Sequence, residues 1–456
     1  MIIKSQISKR IYKLLSLILL TIFIISGCTN ESSATQDANN ATNNQSNNDD
    51  TNNGVNDQDK ASVTIQIAHP FGDDIFEERY ASLPGLPDHV ELESIDWDET
   101  KEGLEELFAN GIKPDIFNSG SVELLQEYDA ITPVDELMDK HDFDVSTIQP
   151  SLVAYLESFD KDNKIIGVPD GASYYALYFN KEVFDLFGVD YPDLNESMTW
   201  DDTLNLAHQL TGELNGTDYI GLEFHNVDYT APFNQFGLNL TDPETGDVLI
   251  TEQPEVQSYF ELMQSFFDIP GIDYDALAEN ECKFCQNEAA MSIGWHGMFT
   301  WGWDEPSELD MVDIAPLPVW SEYPDNGPYL LSYPIMISSY SEHQDEAFQI
   351  LAQYVSEENQ KKMAETVSAG PTTTYPDVLE SFAAKHPFYE GKNIPAIFAL
   401  EPAIGEQRQS KKWDGYVDIY GSLEELATTN IDVPTLLREL KEKAEGEIKD
   451  KQAQDN

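Results

Sequence analysis

Apolar Val63, Ile65 and Ile67 alternate with polar Thr64 and Gln66, which predicts a strand with one buried face. Further strands are expected at Ile112–Phe117, Ile165–Val168, Leu177–Phe179, Met291–Ile293, Val312–Ile314 and Pro334–Ile337. Between them the spacing lengthens to that of a helix. Thr199-Trp-Asp-Asp202 reads as a capping box, with Thr199 as N-cap, Asp202 reaching back, and Leu204, Ala207 and His208 sharing one face. Ala347, Ile350, Leu351, Tyr354 and Val355 form an amphipathic stripe. Asp432 can cap a last helix with Pro434 in its first turn, and Leu436, Leu440, Ala444 and Ile448 recur every four residues behind it. Strands alternating with helices predict α/β layers with mostly parallel sheets. No internal repeat is visible.

The pattern changes at the N-terminus. Lys4, Lys9, Arg10 and Lys13 precede an uncharged apolar run from Leu14 to Ile25. A bilayer span needs about 20 apolar residues, so this shorter run reads as the core of a signal peptide. It ends Ile25-Ser26-Gly27-Cys28, which resembles the lipobox of bacterial lipoproteins, where the peptidase cuts before a cysteine that carries lipid. The alternative is an ordinary secretory signal with an incidental cysteine. Thr29 to Lys60 is rich in Asn and Asp and has no aromatic residue, so it is expected to stay unfolded, as a tether. Roughly 30 flexible residues span about 30 Å on average. The folded body is expected outside the bacterial cell, held to the membrane by lipid alone.

Composition then narrows the partners. The 456 residues carry 84 Asp+Glu against 25 Lys+Arg, a formal net charge of −59, while 41% are hydrophobic. That apolar share supports packed cores and argues against global disorder. The charge disfavours nucleic acid and anionic membrane surfaces. Arginine occurs only at Arg10, Arg79, Arg408 and Arg438, which disfavours a multiply anionic ligand. Three cysteines make no disulfide scaffold.

Several segments together carry a resemblance. In chain order they are Lys113-Pro-Asp-Ile-Phe117, Asn163-Lys-Ile-Ile-Gly-Val-Pro169, Tyr175-Ala-Leu-Tyr-Phe-Asn-Lys181 and Met198-Thr-Trp-Asp201. Ala289-Ala-Met-Ser-Ile-Gly-Trp295, Asp313-Ile-Ala-Pro-Leu-Pro318 and Glu346-Ala-Phe348 with Tyr354-Val-Ser-Glu-Glu-Asn-Gln360 follow. The order resembles that of family 1 extracellular solute-binding proteins, which serve ABC importers and include maltose-binding protein. The resemblance implies a two-lobe α/β, periplasmic-binding-protein-like fold, with a hinge and a ligand cleft between the lobes. With the signal peptide placed at 1–27 and the lipidated tether at 28–61 by the N-terminal pattern, it implies a first lobe at 62–169 and 293–360, and a second at 170–292 and 361–456. Val168-Pro169-Asp170-Gly171 and Ser368-Ala-Gly-Pro371 would be hinge strands. The expected role is a monomeric receptor that captures a sugar or oligosaccharide for an ABC importer, with no cofactor, metal or nucleic acid.

A sugar presents C–H faces and hydroxyl edges, so its site needs aromatic platforms beside amides, carboxylates and hydroxyls. By the resemblance, Trp295 is a stacking platform and Ser173 and Tyr174 occupy a cleft position. Strand alternation lets only one of Tyr174 and Tyr175 face the cleft. Trp301 and Trp303 sit in an irregular Trp- and Gly-containing stretch after Trp295, where packing at the seam is the competing reading. Ser119 and Ser121 follow the Pro-Asp-Ile strand and offer hydroxyls and N–H groups at its end. Asn226, Tyr229 and Phe233 match a family ligand loop, Trp413 a late family aromatic, and His69 closes the first strand. Cys282-Lys-Phe-Cys285 supplies two ligands where structural zinc needs four. A local disulfide is expected there in an oxidising exterior, with free thiols as the alternative. A secreted carbohydrate-active enzyme and a sensor subunit for a surface kinase remain competing functions. No G-x-S-x-G, H-E-x-x-H or Walker motif supports the enzyme.

Overall fold

In this computed structural model the described residues are 62–225, 229–272, 274, 282–404 and 413–454. Cys28 and Asn226 lie outside them. The chain enters with β1 (Val63–His69), whose Ile65 and Ile67 are fully buried while Thr64 is exposed, as the alternation predicts. β2 (Val90–Asp96), β3 (Ile116–Asn118), β4 (Ile131–Thr132) and β5 (Val168–Pro169) follow. Strand β3 is shorter than the expected Ile112–Phe117 and begins after Pro114, which has no N–H to give a ladder. The path then moves to a second sheet: β6 (Tyr175–Asn180), β7 (Gly212–Leu214), β8 (Thr217–Phe224), β9 (Ala289–Trp295) and β10 (Val312–Ala315). Strand β11 (Asn326–Gly327) pairs away from both sheets, β12 (Pro334–Ser338) returns to the first, and β13 (Glu401–Pro402) is the partner of β11.

The first sheet runs β2-β1-β3-β12-β4, with β5 also on β12; the second runs β10-β6-β9-β8-β7. Neither is mostly parallel. Strands β1, β2 and β3 are parallel, as are β8 and β9, but β12 is antiparallel to its neighbours and β6 lies antiparallel to β9 and β10. The reason is topological. Strands β6 and β12 arrive from the other lobe rather than through a crossover helix, so nothing fixes them parallel. The same pairing moves a boundary. Strand β10, and the part of β9 beyond 293, belong to the second sheet, so the return to the first lies between Ala315 and Pro334 rather than at 293.

Strand β6 reads Tyr-Ala-Leu-Tyr-Phe-Asn with no polar alternation because both its faces are covered. Leu177 and Phe179 enter one hydrophobic cluster, Ala176 and Tyr178 the other. The helix Trp200–Gln209 starts as expected: the Thr199 hydroxyl accepts the Asp202 N–H at 3.0 Å and donates to its carboxylate at 2.8 Å. Its buried face is Thr203, Leu204 and Ala207, whereas His208 is exposed, one residue beyond the apolar stripe. The last helix, Val433–Gln454, buries Leu436, Leu440, Ala444 and Ile448 in the second core. Among the described residues no helix is long and apolar enough to cross a membrane.

Candidate functional site

Three stretches of chain pass between the sheets side by side. Pro169 pairs with Pro334, the Asp170 N–H donates to the Tyr333 carbonyl at 3.0 Å, and the Ala172 N–H donates to the Gly370 carbonyl at 3.1 Å. Gly370 is required by space. A Cβ there would strike the Ala172 carbonyl and lie 2.6 Å from the His296 ring. The Asp170 carboxylate is buried and accepts from both the Arg79 guanidinium and the Tyr354 hydroxyl. Burial alone would lower the Arg79 pKa, but the Asp170 charge outweighs it and holds the guanidinium above its ordinary value. Burial, reinforced by Asp170, raises Tyr354 well above a normal phenol.

From this hinge the first lobe presents a polar wall edged by aromatics. His69, at the end of β1, stacks on Phe76 at 5.3 Å and on Phe71 at 6.1 Å, and burial lowers its pKa. Arg79 lies 5.2 Å over the Phe71 ring, and Phe71 meets Tyr333 edge-on at 5.5 Å. The Ser119 hydroxyl and the Gly120 N–H both donate to one Glu99 carboxylate oxygen, at 2.7 and 2.8 Å. The Ser121 N–H donates to the Ser119 hydroxyl at 2.9 Å, and the Ser121 hydroxyl to the Glu99 carbonyl at 3.2 Å. Glu99 holds φ 60, a strained conformation for a non-glycine residue at a site that organises a turn. Ser119 is fully buried; Gly120 and Tyr333 are exposed.

The second lobe presents aromatics. Trp295 ends β9 half-buried, opposite Tyr175 in the register of β6. Its ring lies over Gly297, where any Cβ would collide with it. The Tyr178 hydroxyl donates to the Trp295 carbonyl at 2.9 Å. His296, whose ring meets that of Trp295 edge-on at 5.0 Å, is buried, and burial brings its pKa down to about 3, so it stays neutral behind the wall. Ser173 is half-buried, Trp301 is 47% exposed, and Trp303 packs edge-on to Phe299 at 5.8 Å. Asp170 and Tyr175 are five residues apart, and such a stretch of chain spans at most about 18 Å. The hinge ends of the two walls, at Tyr333 beside Asp170 and at Trp295 beside Tyr175, are therefore joined by that short stretch.

Four of the residues expected at the site are placed in cores. Tyr174 is buried against Phe398 at 4.9 Å, with its hydroxyl donated to the Pro371 carbonyl at 3.0 Å; Tyr175 is the one beside Trp295. Tyr229 packs among Phe224, Phe266 and Phe267, and Phe233 on Tyr259 at 5.2 Å, because the short helix Thr230–Asn234 turns its apolar side to the second core. Trp413 is buried in the same core beside Tyr416. Sequence reasoning missed Phe71, Tyr333 and Glu99, and of the pair Tyr174 and Tyr175 it chose the buried one. Phe71 and Tyr333 carried a signal: each is an aromatic set beside a proline at one end of a first-sheet strand.

A cavity of about 640 Å³ lies elsewhere between the lobes. Glu123, Glu127 and Asp160 line it from one side, Tyr416 and Lys451 from the other, and Lys451 pairs with Glu127 at 3.3 Å. No residue of either wall lines it. Cys282 and Cys285 are joined as a disulfide, and with His225 they form the one close grouping of metal-ligand residue types among the described residues.

The family model for bacterial extracellular solute-binding proteins matches residues 74–361. The chain belongs to that family. This solute-binding protein is thereby a receptor that delivers a solute to an ABC importer. It is 23% identical over 344 residues to the arabinooligosaccharide-binding protein of Halalkalibacterium halodurans, covering 70% of this chain and 74% of that one. Its fold is similar to that of a Rhizobium etli sugar transporter solved in an open conformation, with TM-score 0.64, 18% identity, and 84% and 99% of the two chains covered. It is also similar to an ABC substrate-binding protein from Listeria monocytogenes in complex with cycloalternan, with TM-score 0.60, 17% identity, and 86% and 99% covered. Those likenesses carry the two-lobe α/β fold.

Proposed function

We propose that this receptor captures an oligosaccharide between the two walls and closes on it. The observation that carries the reading is Trp295, a half-buried indole at a strand end beside the hinge, with exposed Trp301 in the loop that follows. Rings there can stack on the C–H faces of a sugar, while Gly120, Ser121 and Tyr333 of the first lobe meet its hydroxyls. The relatives named for arabinooligosaccharide and cycloalternan binding support this ligand class. Closure would link capture to a shape the importer reads.

The test is a panel of arabinotriose, xylotriose and maltotriose, read by thermal unfolding and by mass spectrometry of the recovered sugar. A binder present at 100 times its Kd stabilises the fold by about 2.7 kcal/mol and is recovered intact. Recovery of cleaved sugar, or no stabilisation by any oligosaccharide, would sink the reading.

We propose further that lipid on Cys28 tethers a monomeric receptor to the outer face of the cell membrane. The support is the Ile-Ser-Gly-Cys run after a short apolar segment. Cys28→Ala should move the protein into the medium or leave an uncut signal; membrane retention with unchanged lipid labelling would refute the tether.

A further inference from the structure

The Cys282-Lys-Phe-Cys285 turn is wedged between two loops of the second lobe. On one side it meets the aromatic stretch after Trp295. Gly302, at φ 85, lies so close that a Cβ would come within 2.6 Å of the Cys285 sulfur. Phe284, fully buried in the turn, meets Trp303 edge-on at 6.4 Å. On the other side the Cys282 sulfur is 3.9 Å from His225 Nδ1, just past the end of β8. The turn is pinned from below. The buried Glu223 carboxylate accepts the Lys283 N–H at 2.8 Å and the Phe284 N–H at 3.2 Å, and the Cys285 N–H donates to the Cys282 sulfur at 3.0 Å. Both cysteines are half-buried, within reach of a small reagent.

A disulfide that closes so short a loop restrains the unfolded chain less than a long-range one does. Its effect here is local. Gly302 is the middle residue of Trp301-Gly302-Trp303, so its backbone sets where both indoles point. Glycine restrains its own backbone least of all residues, and the Cys285 sulfur lies so close to Gly302 that it limits where this backbone can go. We propose that the Cys282–Cys285 disulfide is a positioning strut for Trp301 and Trp303, and that its reduction by an external thiol lowers sugar affinity while leaving the fold intact. The affinity part rests on the sugar-receptor reading; the positioning part does not. In the reaction two thiols of dithiothreitol supply two electrons and two protons. The S–S bond breaks, two S–H bonds form, and the reagent closes to its own cyclic disulfide.

The test compares the oxidised protein, the dithiothreitol-reduced protein and a Cys282→Ser/Cys285→Ser double variant. In the sugar-free state, amide exchange over 297–303 should rise about tenfold or more in the reduced protein and in the variant, with the two sheets unchanged. Titration with arabinotriose should show affinity lower by about tenfold in both, because the platform must be ordered on binding. Reoxidation with oxidised glutathione should restore both readings in the wild type and neither in the variant. If exchange over 297–303 is the same with and without the disulfide, the strut is refuted, whatever the affinities. If exchange rises but affinity for a sugar that binds the oxidised protein does not fall, the redox effect on capture is refuted. If arabinotriose fails to bind the oxidised protein, the sugar reading is at fault, and the exchange result still decides the strut.

Discussion

The two walls beside the hinge are built on opposite plans. On the first lobe the polar groups are already engaged: Ser119, Gly120 and Ser121 all hydrogen-bond to Glu99 or to one another. On the second lobe Trp295 is half-buried with its ring over a glycine, and Trp301 is exposed. A sugar meeting the first wall exchanges its water hydrogen bonds for bonds to groups that are already satisfied, which gains little net. A sugar covering the second wall removes apolar surface from water outright, which is the larger gain. On the proposed sugar reading, the difference would assign energy to one lobe and orientation to the other. It also orders the substitutions that can break the comparison.

The largest effect is expected at the junction that both walls share. Asp170→Ala leaves Arg79 buried without its partner, and breaking a buried pair commonly costs about 3–5 kcal/mol. Denaturant unfolding of the sugar-free protein measures it. A cost below that of an ordinary surface change would mean the hinge does not depend on the pair. Next is Trp295→Ala. Loss of an aromatic anchor costs about 2 kcal/mol or more of binding, a factor near thirty in Kd, with a smaller loss of sugar-free stability. The reverse pattern in calorimetry and unfolding, normal affinity with a large stability loss, would make Trp295 a packing residue and erase the contrast between the walls.

The third expectation concerns the support beneath the second wall. Burial pushes the Glu223 carboxyl up to about 7, above its unfolded value. Its contribution to stability is therefore complete at low pH and is lost as pH rises through about 7. In Glu223→Gln that term disappears. Between pH 5 and 6.5 the variant's stability should gain, relative to wild type, about 1.4 kcal/mol per pH unit as pH rises. Parallel curves for the two proteins would show that Glu223 titrates normally. The smallest effect belongs to Ser119→Ala. Its hydroxyl is buried and already held by Glu99, so affinity should fall by less than about threefold. A tenfold loss would put Ser119 in direct contact with sugar and move the energetic wall to the first lobe.

How much of this was legible in the sequence depended on the range of the interaction. The Thr199 cap, the Leu436–Ile448 stripe and the hinge glycines were legible because each is fixed by residues a few positions apart. The lobe boundary was not, because β10 joins β6 by pairing across more than a hundred residues, and no local pattern records that choice. The site divides the same way. The strand end at Trp295 could be read, because the apolar run stops there; its role at the site came from the resemblance alone. Tyr229, Phe233 and Trp413 could not be placed, since an aromatic residue in a loop looks the same whether it turns to a cleft or to a core. Glu99 was hidden for another reason: it is one of 84 acidic residues, and only its backbone conformation and its bonds to Ser119 and Gly120 set it apart.

The three side-by-side crossings at Asp170, Tyr333 and Gly370 have a mechanical consequence. Two bodies joined by a single strand can swing, twist and slide. Three tied strands resist sliding and twisting and favour one rotation. The state of the molecule then reduces to a single angle. A membrane partner that gauges that angle reads one variable, and it reads the same variable whichever solute has set it.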